Sequence, residues 1–167
     1  MKTIELMESK PYKFLFLCTG NSARSIIGEY LLRRLGGERF QVFSAGAFPT
    51  GTVNPFAIQV LKDFYDVDAS DARSKSWEEF NDVEFDFVVT VCDNARETCP
   101  VWPGQPIVAH WSSPDPAAVE GSNEEKYRAF TEVAFQINRR LQLFTSLPLE
   151  KLDRLELIKA TQQIGDQ

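Results

Sequence analysis

Cys18 is followed by Thr19, Gly20, Asn21, Ser22, Ala23, Arg24 and Ser25, and this run carries the strongest chemical signal in the chain. The residues between the cysteine and the arginine are small, and Gly20 lets the backbone curl tightly and aim its N–H groups inward. A helix opening at the end of such a loop adds the partial positive charge of its N-terminus. Arg24 supplies a planar fork suited to two oxygens of a tetrahedral oxyanion. The loop from Cys18 to Ser25 therefore reads as a cradle for phosphate or for an anion of the same shape. The same surroundings act on the cysteine. A thiolate beside an arginine and a helix N-terminus is stabilised, and thiols so placed titrate at roughly 3.5–7.5. We expect Cys18 to be a nucleophile with a depressed pKa, with Ser22 or Ser25 offering a further hydrogen bond.

The flanking pattern tells which elements must hold this loop. KFLFLC (Lys13 to Cys18) is a short apolar run and reads as a buried strand. After the loop, Ile26, Ile27, Tyr30, Leu31 and Leu35 recur at helical spacing, and Gly36-Gly37 ends that helix. Phe40 to Gly46 reads as a second strand and AIQVLKDFY as a second helix. A short helix is expected at Trp77 to Asn81. Phe85 to Cys92 and Pro106 to Trp111 read as a third and a fourth strand, and a long helix is expected from Asn123 to Phe144. Strands alternating with helices predict an α/β domain with a four-stranded parallel sheet and helices on both faces. Ligands of such sheets bind beyond the carboxyl ends of the strands. Three segments sit there and can converge: the loop after Cys18, the segment after Cys92 and the loop after Trp111.

The chain has 167 residues, a net charge of −6 and a sequence pI of about 4.9. That length predicts one domain, over 1–167. An acidic chain without a basic run is a poor binder of nucleic acid or of membrane surfaces. No apolar stretch approaches the roughly 18 residues of a membrane span, and the start lacks the apolar centre of a signal peptide, so a cytoplasmic address is expected. Three cysteines in such a chain argue for thiol chemistry or burial rather than a disulfide scaffold. His110 is the sole histidine; it reads as structural, and no metal-ligand cluster is evident. Trp102 and Trp111 read as packing residues.

FLCTGNSARS resembles the active-site loop of the low-molecular-weight protein tyrosine phosphatases, and more closely that of the arsenate reductases sharing their fold. The resemblance spans residues 13 to 145. It implies a phosphatase-like core there, a nucleophilic role for Cys18, oxyanion binding by Arg24 and a loop-shaping role for Asn21. It implies no cofactor. The family's Asp-Pro falls here on Asp115-Pro116, which assigns Asp115 as the general acid. The chemistry requires one, because thiolate attack on an oxyanion expels an oxygen that must be protonated. Tyrosine phosphatases of the family usually carry an aromatic residue after Asp-Pro. Here it is Ala117, which suits a small inorganic substrate.

The resemblance also gives the remaining cysteines a part. Thioredoxin-coupled arsenate reductases use a nucleophile in the loop and a cysteine pair after the third strand, spaced as Cys92 and Cys99 are. The implied reaction reduces arsenate to arsenite, with Cys18, Cys92 and Cys99 exchanging disulfides and thioredoxin or a similar thiol restoring them. If the segment between Cys92 and Cys99 is helical, the two lie about two turns, roughly 10 Å, apart along the axis. A disulfide needs Cα atoms within about 7 Å, so that segment would have to unwind. Some relatives bind potassium near the loop through residues resembling Asn21, Glu29 and Ser44. Their acidic ligand is replaced by Lys75, whose ammonium can supply the same charge, so no metal is expected. Two other readings use the same residues: a tyrosine phosphatase built on Cys18, Arg24 and Asp115, and a non-catalytic module that captures a phosphorylated partner. Leu149, Leu152, Leu155 and Ile158 predict a helical tail over 147–167 with one apolar stripe, packed on its own domain or on a second copy.

Overall fold

In the computed structural model, residues 10–93 and 102–167 are described. Cys99 lies outside the described residues. The run Tyr12–Cys18 forms β1, and Phe14 to Cys18 are buried without a break because the strand has neighbours on both edges and layers on both faces. Phe40–Gly46 is β2, Phe87–Thr90 is β3 and Ile107–His110 is β4. All pairings are parallel, in the order β2-β1-β3-β4. The outer strands alternate where they face water, Val108 of β4 being exposed. The register sets Cys18 beside Gly46, Leu17 beside Thr90, and Thr90 beside His110, so the carboxyl ends of the strands form one edge. The third and fourth strands are shorter than the apolar runs that encode them. Beyond the ladder, Val91 N–H still donates to Leu17 O, and Trp111 N–H to Thr90 O.

Helix α1 spans Arg24–Gly36, α2 Pro55–Tyr65, α3 Asn123–Thr145 and α4 Arg154–Ile164. Three of them start on side-chain caps. Asn54 accepts from Phe56 N–H, and Ser122 with Glu125 and Asp153 with Glu156 form reciprocal capping boxes. Trp77–Phe80 is one 3-10 turn, capped by Ser76. No helix among the described residues is long and apolar enough to cross a membrane.

The core is unusually aromatic. On one face Phe14 packs on Phe87 and Phe144 with ring centroids 5.6 and 5.2 Å apart, and Trp111 joins them. On the other face Phe43, Phe80, Phe85 and Trp102 contact one another edge to face. Trp102 and Trp111 are packing residues, 5% and 1% exposed.

The tail corrects one expectation. Leu155 does not share an apolar stripe with Leu149, Leu152 and Ile158; it is exposed, and α4 buries Leu157, Thr161 and Ile164. Leu149 and Leu152 precede the helix, so the Asp153 cap starts a new phase. The helix packs on its own domain: Trp111 Nε1 donates to Thr161 O, and Gln162 Nε2 to Val108 O.

Phe144 is fully buried between the sheet and α3. Phe144→Ala should lower the unfolding free energy by about 3–5 kcal/mol, read from the urea midpoint, because neighbouring rings cannot close the cavity.

Candidate active site

The loop after β1 is shaped by its carbonyls. Those of Cys18, Thr19, Gly20 and Ser22 accept from the backbone N–H groups of Ala47, Phe48, Thr50 and Asn54. In a trans peptide the N–H points opposite to the C=O, so the N–H ends of those units are left facing away from that segment. Gly46 permits this approach: a Cβ there would sit 2.5 Å from Thr19 O. No side chain caps α1, Ala23 being its N-cap, and no acid occupies its first turn. Its first amides remain donors for an anion.

Asn21 holds the turn. Its φ is +48°, in the left-handed region that asparagine tolerates best after glycine, and its side chain is wholly buried. Nδ2 donates to Ser25 Oγ at 2.8 Å and to Ser44 Oγ at 3.1 Å. Oδ1 accepts from Lys75 N at 2.9 Å and from Lys75 Nζ at 3.5 Å. Ser44 Oγ donates in turn to Glu29 Oε1 at 2.5 Å, and Lys75 Nζ lies 3.8 Å from that carboxylate. Arg33 pairs with the other Glu29 oxygen. Asn21, Glu29 and Ser44 thus gather around the Lys75 ammonium. Burial lowers the Lys75 pKa, and Glu29 opposes that shift. Among the described residues no group of three or more His, Cys, Asp or Glu side chains is placed to hold a metal.

Cys18, Arg24, Cys92 and Asp115 line one open cleft of about 620 Å³. Arg24 is anchored by Nη1 donating to Ser113 O at 2.9 Å, with Nη2 3.7 Å from Asp115 Oδ2. Asp115 Oδ1 accepts from Ala117 N–H, which fixes the carboxyl at the head of the short turn Pro116–Ala118 and leaves Oδ2 toward the cleft. Ala117 also lines the cleft. Cys92 is hydrogen-bonded to Cys18, and its sulfur lies 3.3 Å from Thr19 Oγ1. Ser25 engages Asn21.

The thiol pair overturns the expectation of a depressed Cys18 pKa. The hydrogen bond with Cys92 and burial push the Cys18 thiol up, outweighing the pull of Arg24 and of the Thr19 backbone N–H. Cys18 donates this bond to Cys92, and a thiol held as a donor gives up its proton less readily.

Two further residues of the cleft, Thr50 and Asp93, escape a reading of the sequence. Asp93 Oδ1 is 2.8 Å from His110 Nε2, and His110 Nδ1 is 2.7 Å from Thr90 Oγ1. The contact depends on the register of β3 against β4, which no local pattern reveals.

The loop lies at the carboxyl edge of a parallel sheet, where the first amides of α1 and the Arg24 guanidinium are arranged as an oxyanion could use them, with Cys18 in the same cleft. Residues 13–155 match the model of the low molecular weight phosphotyrosine protein phosphatase family, and the chain belongs to that family. It is 37% identical over 129 residues to an arsenate reductase of Halalkalibacterium halodurans, covering 77% of this chain and 91% of that relative. A solved arsenate reductase in its phosphate-binding state superposes with a TM-score of 0.66 at 27% identity, covering 81% of this chain and 97% of the other. A thioredoxin-dependent arsenate reductase of Corynebacterium glutamicum superposes with a TM-score of 0.58 at 26% identity, covering 84% of this chain and 66% of the other.

Because Cys92 is the largest cause raising the Cys18 pKa, its removal has a definite sign. In Cys92→Ala, iodoacetamide alkylation of Cys18 should reach half its maximal rate at a lower pH than in the parent. Alkylation followed by peptide mass spectrometry across pH 5 to about 10 checks this.

Proposed function

We propose that this protein reduces arsenate to arsenite through Cys18, Cys92 and Cys99, with thioredoxin as reductant. The observation that carries the reading is that a second thiol, Cys92, lines the same cleft as Cys18 beside the loop, its sulfur 3.3 Å from Thr19 Oγ1. Phosphate hydrolysis needs one thiol there; reduction needs a second within exchange distance. The arsenate reductases among the relatives support the same reading.

Arsenate sits on the loop amides and the Arg24 fork. Cys18 passes its proton to the bound arsenate dianion beside Arg24 and its sulfur forms a bond to arsenic, the arsenic–oxygen bond on the far side breaks, and Asp115 gives that oxygen the proton with which it leaves as water. The Cys92 thiolate then attacks the Cys18 sulfur. The sulfur–arsenic bond breaks with its electron pair moving to arsenic, so arsenic(V) becomes arsenic(III), arsenite departs, and a Cys18–Cys92 disulfide remains. The Cys99 thiolate attacks Cys92 and releases the Cys18 thiolate. The resulting Cys92–Cys99 disulfide is reduced by the thioredoxin dithiol, which is itself oxidised.

In the same reading Lys75 occupies the place of a monovalent cation beside Asn21, Glu29 and Ser44. Thermal unfolding should then have the same midpoint in equimolar KCl and NaCl.

Arsenate-dependent turnover with thioredoxin and its reductase, run beside an aryl phosphate, tests the assignment. Asp115→Asn should slow turnover by roughly 10²–10⁴ while Cys18 stays reactive to iodoacetamide. Cys99→Ser should stop after one round and leave a Cys18–Cys92 disulfide visible by peptide mapping, because a serine hydroxyl cannot complete the exchange. Steady-state arsenate reduction by Cys99→Ser at the parental rate would eliminate the three-cysteine route. Hydrolysis of the aryl phosphate without arsenate reduction by the parent would instead favour a phosphatase using Cys18, Arg24 and Asp115.

A further inference from the structure

Arg140 lies on α3, 4% exposed, and its guanidinium pairs with no Asp or Glu side chain among the described residues. A buried cation is costly unless oxygens satisfy it at close range. Here those oxygens come from two separate places. Nη1 donates to Ser112 O at 2.8 Å and to Ser113 Oγ at 3.4 Å. Nη2 donates to Gly165 O at 3.2 Å and Gln167 O at 3.1 Å, and Nε donates to Gln167 O at 3.3 Å. The main-chain oxygens beyond the end of α4 lie at the negative end of its dipole, which suits a cation. Ser113 is also the residue whose carbonyl anchors Arg24, and it stands two positions before Asp115.

From this we infer that Arg140 is a positioning residue: it uses the end of α4 as an abutment to hold the turn that carries Asp115. The inference rests on the reading of Asp115 as proton donor. Residues beyond 155 fall outside the family match, so this abutment is not part of the matched core. The end of α4 is itself firmly seated. Trp111 Nε1 donates to Thr161 O, and a Cβ on Gly165 would come within 2.3 Å of His110 O.

The test uses the full chain with Arg140→Met, which keeps bulk and removes every donor, and Gly165→Ala, which lifts the last turn of α4 without altering Arg140. In both, amide exchange over 112–119 should quicken by about tenfold or more while exchange over 18–27 stays parental. Arsenate kcat should fall by about tenfold, with KM and the phosphate inhibition constant within about threefold, since a proton donor displaced by a fraction of an ångström loses rate rather than binding. Iodoacetamide labelling of Cys18 should be unchanged. Parental exchange over 112–119, exchange raised equally throughout the chain, or faster local exchange with parental kcat would each overturn the inference. If Arg140→Met fails to fold, Gly165→Ala carries both readouts. An Asp115→Asn protein as active as the parent would remove the proton-donor reading. The hold on the turn is then judged by exchange alone, faster supporting it and parental overturning it.

Discussion

Asn21 is buried where water cannot reach it, and its amide has two donors and an oxygen that must all find partners. Ser25, Ser44 and Lys75 provide them, from α1, from β2 and from the segment before the turn at Trp77. The backbone at Asn21 has a positive φ, which costs energy for any residue with a Cβ. The bonds of the side chain offset that cost only if those three elements are in place. The loop from Cys18 to Arg24 is thus assembled by the domain: the turn at Asn21 is stable only when the sheet, the first helix and the Lys75 segment have packed.

The charges follow from the same constraint. Ser44 brings Glu29 to the network, and Glu29 needs a cation because an isolated buried carboxylate is expensive. Lys75 and Arg33 supply it from opposite sides. On the other side of the loop, Arg24 and Arg140 both hold the segment Ser112–Ser113, one by its carbonyl at Ser113 and the other by its carbonyl at Ser112. The arginine of the cleft is therefore oriented by the loop that bears Asp115, and that loop by a buried arginine on α3. Neither guanidinium can shift without loosening the other's partner.

The thiols illustrate a competition between two effects. A helix N-terminus and an arginine favour the Cys18 thiolate, and from those alone a low pKa follows. The hydrogen bond that Cys18 donates to Cys92, together with burial, acts the other way and dominates in the folded protein. Bringing a second thiol against Cys18 raises the cost of ionising both, yet in the reaction proposed above it is the contact through which sulfur exchanges with sulfur.

Much of this was legible without coordinates. The apolar runs and the helical periodicity after the loop determine a parallel α/β sheet, and the Cys18-to-Arg24 spacing marks the candidate oxyanion loop at its carboxyl edge, because burial and loop chemistry are local in sequence. Family membership was carried by that same loop. Tertiary structure decided what depends on distant partners. The phase of α4 departs from the apolar spacing of the tail because the cap at Asp153 resets the helix, leaving Leu155 in water while Leu157, Thr161 and Ile164 turn inward. The direction of the Cys18 shift depends on Cys92, brought alongside by pairing of β1 with β3. The Asp93–His110 contact depends on the register of β3 with β4, and the grip of Arg140 on the Asp115 turn depends on where α4 ends. Residue types can announce a cradle and a nucleophile; which side chains reach them is set by strand order and helix packing, whose information is spread over the whole chain.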